Sequence, residues 1–132
     1  FADKLARPRL TVLDVVKGNL NTAEGLADEL ILGDIRNTPI VGYGLVFWDE
    51  GPEHLPKDQA LEMLRVWSSQ NDHVLISCPW GYMPQGSGPD DYEFHHWGPQ
   101  PADFRSIGFN AEVFGTEFTG TKDGHGNLIA WI

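Results

Sequence analysis

Apolar runs rich in β-branched residues alternate with segments of helical spacing, and this alternation constrains the fold more than any other feature of the chain. Residues 10–16 (Leu-Thr-Val-Leu-Asp-Val-Val) predict a strand. Residues 19–27 carry Leu20, Ala23, Leu26 and Ala27 at helical spacing, with Asn19 or Asn21 as the cap. A second strand is predicted over 29–35. A third follows over 42–48, nearly continuous in apolar character, as expected when both sheet faces are covered. Pro56 stands where a first helical position belongs, and 57–67 presents Ala60, Leu61, Leu64 and Trp67 as a stripe. Residues 74–78 predict a fourth strand. After an irregular stretch over 79–100 come a short helix over 101–107 and two strands over 111–118 and 128–132, joined by a hairpin-like connection over 119–127. Strand, helix, strand in repeated order argues for an α/β domain with a mostly parallel sheet and an antiparallel end. No internal repeat, low-complexity segment or domain boundary interrupts it, so 1–132 reads as a single domain.

The 132 residues are 41% hydrophobic, which suits a packed core rather than a disordered chain. No run approaches the roughly 18–20 apolar residues of a membrane span, and no apolar signal core opens the sequence. Nine Lys and Arg against nineteen Asp and Glu leave a net charge of −10. Such a surface repels phosphate backbones and anionic membranes, which favours a small-molecule substrate over nucleic acid or membrane. Lys4, Arg7 and Arg9 form the one cationic cluster and read as a solvated terminus. A single cysteine, Cys78, excludes an internal disulfide and fits a reducing, cytoplasmic setting. It lies within an apolar run, where a buried small hydrophobe competes with a catalytic thiol. The chain begins at Phe1 and not at Met, which is the expectation for a fragment or a processed product.

Ligands of open parallel sheets sit at the carboxyl ends of the strands. Asp14, Asp34, Asp49 with Glu50, and Trp80 occupy those ends. Carboxylates there can receive ribose hydroxyls, or can cap the turn that follows. His54 beside Glu53 is the candidate for proton handling, against a packing role for the same ring. In the 79–100 stretch, Asp90, Asp91, Glu93, His95 and His96 could together suggest a cation site. Adjacent residues on an extended chain point apart, however, so His95 and His96 are not expected to share one ion, and no metal ligand is assigned. The aromatic residues of the stretch, Tyr82, Tyr92, Phe94 and Trp97 with His96, suit a substrate pocket or lid, or a hydrophobic cover over the sheet edge.

At this point the residues resemble a family. Tyr43-Gly44-Leu45-Val46-Phe47-Trp48-Asp49-Glu50-Gly51-Pro52-Glu53-His54-Leu55 is similar to the strand and loop of class I S-adenosylmethionine-dependent methyltransferases, whose pattern ends in Glu-His-Leu. Gly44 and Glu50 stand where the family often has Asp, and Gly51-Pro52 replace an apolar pair. Leu10 to Asp14 resembles the family's second strand, and Asp34-Ile35 the pair after its third. Val74 to Gly81 resembles the fifth strand and its ending. Trp97, Pro101-Ala102-Asp103-Phe104 and Gly108-Phe109 resemble the segment before the sixth strand, and the last two strands the antiparallel end. The family's Gly-rich turn after its first strand has no counterpart before Leu10. Residues 12–19 echo that turn faintly, with Val16 in place of its first Gly. The second-strand register is preferred because the alternative squeezes out the family's second strand.

The resemblance implies a Rossmann-like, mostly parallel sheet with helices on both faces and an antiparallel C-terminal hairpin, lacking the family's first strand. It implies S-adenosylmethionine as cofactor and methyl transfer to a small molecule, by this chain or by a longer enzyme of which it is part. Asp14 would take the ribose, Asp34 and Ile35 the adenine, and Trp48, Asp49 and Glu50 the cofactor wall. His54 and Glu53 would be catalytic, and Trp80, Tyr82, Tyr92, His96 and Trp97 would face the substrate. An incomplete sheet would leave open edges and invite a homodimer. Two alternatives stay open: a non-catalytic methyltransferase-like scaffold or interaction module, and a metal-dependent hydrolase using His54, His95 and His96.

Overall fold

The computed structural model describes residues 7–115 and 126–132, which form two compact units divided after Pro39. Lys4 of the cationic cluster and most of the 119–127 connection lie outside the described residues.

The first unit is a strand–helix–strand motif. Strands β1 (Thr11–Asp14) and β2 (Glu29–Leu32) pair in parallel, with Thr11 opposite Glu29 and Asp14 opposite Leu32. Parallel neighbours need a crossover, and α1 (Lys17–Thr22) supplies it. The helix is shorter than its apolar spacing predicts. Gly18, Asn19, Asn21 and Thr22 are weak helix formers, and the chain turns on Gly25 at φ 81°. Leu20 is its buried residue. Arg7 clamps Asp28 at 2.7 and 2.9 Å, and the Leu10 N–H donates to the same carboxylate, so the entry to β1 is fastened to the entry to β2.

The second unit carries a four-stranded mixed sheet in the order β3-β4-β6-β5. Here β3 (Val46–Asp49) runs parallel to β4 (Val74–Pro79). Strands β5 (Asn110–Phe114) and β6 (Asn127–Trp131) form the expected antiparallel pair, and β6 lies antiparallel to β4. Side chains alternate across a strand, so Val74, Ile76 and Cys78 share one face with their partners Leu128 and Ala130 and with Ala111, all buried. Helix α2 (Lys57–Gln70) presents Ala60, Leu64 and Trp67 at positions i, i+4 and i+7. Trp67 meets the sheet through Trp48, with ring centroids 5.0 Å apart. Short α3 (Pro101–Arg105) buries Phe104, and Gln100 and Asp103 close a capping box at its start. Truncating Phe104 would cost about 3–5 kcal/mol.

One expectation needs correction. Residues 42–48 do not form a strand covered on both faces. Only Val46–Asp49 is extended, since Gly42 holds φ 80°, and Phe47 is 56% exposed. The strands lie in a two-stranded parallel sheet and a four-stranded mixed sheet, with the parallel pairs and the antiparallel end that the alternation predicts. Among the described residues β1 pairs only with β2, and β3 only with β4. No described helix is long and apolar enough to cross a membrane.

Candidate functional site

In the first unit, the acids sit where the strand-end rule places them. Asp14 closes β1 and is half-buried. Its oxygens accept from the Val16 N–H at 2.7 Å and from Asn19 Nδ2 at 3.1 Å, so it does cap the turn into α1. A carboxylate offers about four acceptor positions, so that capping leaves capacity for a ligand hydroxyl. Asp34 lies two residues beyond β2. Arg36 chelates it, and this pairing holds its carboxyl below the usual range. Ile35 beside it is half-buried.

In the second unit, β3 delivers Trp48, Asp49 and Glu50 to the start of a 3-10 turn (Pro52–His54). The Trp48 indole lies so close over Gly51 that a Cβ there would fall inside it, so glycine is what fits at this position. Glu50 adopts φ 46°, uncommon for a residue with a side chain and a mark of local strain at the turn. Glu53 is fully buried, and neither carboxyl oxygen has a hydrogen-bond partner. Burial, with the negative charges of Glu50 and Asp49, pushes its carboxyl up to about 8. Burial and the Asp49 charge likewise raise Glu50. At neutral pH Glu53 is therefore largely a neutral acid.

His54 Nε2 lies 3.9 Å from Glu53 Oε1, beyond hydrogen-bond reach, and its Nδ1 is buried without a partner. Burial and the neighbouring His95 pull the His54 ring down, which favours neutral imidazole. His95 comes from the 80–100 stretch and is buried against His54, with ring centroids 4.7 Å apart in an edge-on arrangement. Its Nδ1 is 2.6 Å from the Met83 carbonyl oxygen. A carbonyl can only accept, so Nδ1 carries the proton and Nε2 keeps its lone pair when the ring is neutral. Glu53, His54 and His95 each place a ligand atom within 4.8 Å of the others.

Backbone and indole contacts hold this stretch over the 3-10 turn. The His96 N–H donates to the Glu53 carbonyl at 2.8 Å, and Trp97 Nε1 to the Pro52 carbonyl at 2.9 Å. Lys57 pairs with Asp103 at 2.6 Å and lies over the Trp97 ring. Trp97 is thus a buried support rather than a pocket wall, because its indole is spent on the turn and on Phe104. Trp80 is half-buried and donates to Gln100. Tyr82 and Tyr92 are exposed, and His96 is half-buried against Phe94. Cys78 is fully buried in β4, and burial drives its thiol far above the ordinary range, the behaviour of a core residue.

Sequence reading placed His95 with His96, Asp90, Asp91 and Glu93. The structure sends His95 inward to Glu53 and His54 instead, while Asp91 folds back on Ser87 and Glu93. The alternation of adjacent side chains was the available signal that the two histidines part. Nothing local in the sequence told which of them turns inward.

No family model matches the sequence, and no curated protein matches it. Solved structures do resemble it. The DhpI–SAH complex superposes over 93% of this chain and 64% of its own, with a TM-score of 0.60 and 18% identity. Magnesium protoporphyrin IX methyltransferase (ChlM) from Synechocystis PCC 6803, with bound SAH, matches over 93% of this chain and 63% of its own at TM-score 0.55 and 16% identity. The S-adenosylmethionine-dependent methyltransferase SibL in its apo form matches over 92% and 42% at TM-score 0.55 and 21% identity. The chain spans less than two thirds of the length of each of these neighbours. The chain has the fold of the class I S-adenosylmethionine-dependent methyltransferases.

Proposed function

We propose that this chain is a methyltransferase-like domain, 1–132, that serves S-adenosylmethionine-dependent methyl transfer to a small molecule. The observation that carries the reading is Asp14, half-buried at the carboxyl end of β1 with acceptor capacity left, in a fold whose neighbours include SAH complexes. In the first unit Asp14 receives the ribose hydroxyls, and Asp34 with Ile35 receives the adenine. In the second unit Trp48, Asp49 and Glu50 form the cofactor wall. Asp14 fits such a group, since it keeps acceptor capacity for a hydroxyl, while Arg36 already engages both oxygens of Asp34. Bound S-adenosylmethionine would supply a methyl group on a sulfonium sulfur, open to attack by an acceptor's lone pair.

His54, half-buried at the end of the 3-10 turn, takes the acceptor's proton on its imidazole. Glu53, largely neutral, adds no charge beside that imidazole. Most of the rate comes from holding the acceptor in line, a role for Trp80, Tyr82, Tyr92 and His96. Trp97 positions the 3-10 turn. The charge of −10 supports a small acceptor over nucleic acid, and the single cysteine a cytoplasmic setting. Among the described residues β1 and β3 each pair on one side only, which supports a homodimer.

The test is calorimetric titration of the full-length protein with S-adenosylhomocysteine. One site per chain is expected, weakened at least about tenfold by Asp14→Ala, the loss of roughly one charged hydrogen bond. Absence of binding to the folded protein overturns the reading.

A further inference from the structure

We infer that Glu53, His54 and His95 form a binding site for one divalent transition-metal cation. The inference stands apart from the methyl-transfer reading, because it rests on a donor set and not on the fold.

The first observation is an unpaid polar group. Glu53 is buried with both oxygens unpartnered, and among the described residues only His54 Nδ1 shares that condition. A buried carboxyl without a hydrogen bond is costly unless something fills its lone pairs. His54 Nδ1, also buried, has the same deficit. The second observation is convergence. The three residues come from the 3-10 turn and the 80–100 stretch, yet each places a ligand atom within 4.8 Å of the other two. A point between them lies at most about 2.8 Å from each, so small side-chain rotations reach the roughly 2.1 Å of a metal–nitrogen bond.

The third observation is orientation. His95 donates from Nδ1 to the Met83 carbonyl, a bond that fixes the ring and would leave Nε2 free to bind a cation. The surrounding charge also suits a cation, since the fields of Asp49 and Glu50 both reach Glu53, and that of Glu50 reaches His95. Two imidazoles and one carboxylate favour zinc, cobalt or ferrous iron over magnesium or calcium, which prefer all-oxygen shells. Three protein ligands are one fewer than the four of a closed tetrahedral zinc site. A cation here would occupy lone pairs of His54, so the proton-taking role of that imidazole belongs to the metal-free chain.

The experiment titrates metal-free full-length protein with Co²⁺ and follows its visible absorption bands and the thermal midpoint. One Co²⁺ per chain is expected, displaced by Zn²⁺, with a rise in midpoint. Glu53→Gln and His95→Gln should each weaken Co²⁺ binding at least tenfold while keeping the circular dichroism of the parent. His73→Gln, at the exposed start of β4, should bind Co²⁺ as the parent does. Absence of bands and of a midpoint rise at millimolar Co²⁺ overturns the site. So does equal binding by a folded Glu53→Gln/His95→Gln double variant, or loss of binding in a folded His73→Gln.

Discussion

Glu53 is the residue with most at stake. In the metal-free chain its carboxyl is raised to about 8 from an unfolded value of 4.5. Between those values the folded state holds the proton and the unfolded state has released it. Stability from this group is therefore fully present below about pH 4.5 and is lost as pH rises through about 8, by up to about 1.4 kcal/mol per pH unit. Urea unfolding of metal-free protein at pH 5, 7 and 9 should show that decline, and Glu53→Gln should flatten it. A parent protein whose unfolding midpoint rises across that range would contradict the burial argument. The Glu-His-Leu pattern marked this position in the sequence, but its isolation from any partner is a product of burial, which one-dimensional spacing does not encode.

At the scale of elements, hydrogen bonds and close backbone packing tie the 80–100 stretch to itself and to the 3-10 turn. Its ends are tied where the Gly81 N–H donates to the Pro99 carbonyl. Gly98 lies directly on the backbone of Tyr82 and Gly81, leaving no room for a Cβ, whereas nothing lies within 4 Å of a Cβ placed on Gly88. Gly98→Ala should therefore destabilise by roughly 1–3 kcal/mol, as overpacking against backbone does, and Gly88→Ala should be nearly neutral. Denaturant midpoints of the two variants test the pair, and equal midpoints would refute it. Strands and helices were legible because periods of 2 and 3.6 are local. The ends of β3 and α1 were not, because Gly42 and Gly25 take left-handed backbone angles that apolar spacing does not reveal.

For the whole molecule, exposed apolar side chains and open strand edges point to association. Phe47, Leu30 and Leu32 are exposed on strands that pair on one side only among the described residues. Such edges recruit another strand unless covered. Sedimentation velocity of the full-length protein should give a species of twice the chain mass that grows with concentration. A monomer at all concentrations would count against the dimer.

The sequence by itself determined the order and type of the elements, the acids at the strand ends and the Glu53-His54 pair, since each depends on residues near one another along the chain. Tertiary structure decided how the strands divide into sheets, that Trp97 supports a turn, and that His95 rather than His96 joins Glu53 and His54. Those outcomes depend on which distant segments exclude water together. Burial of that kind is a property of the packed chain and leaves no local periodicity to read.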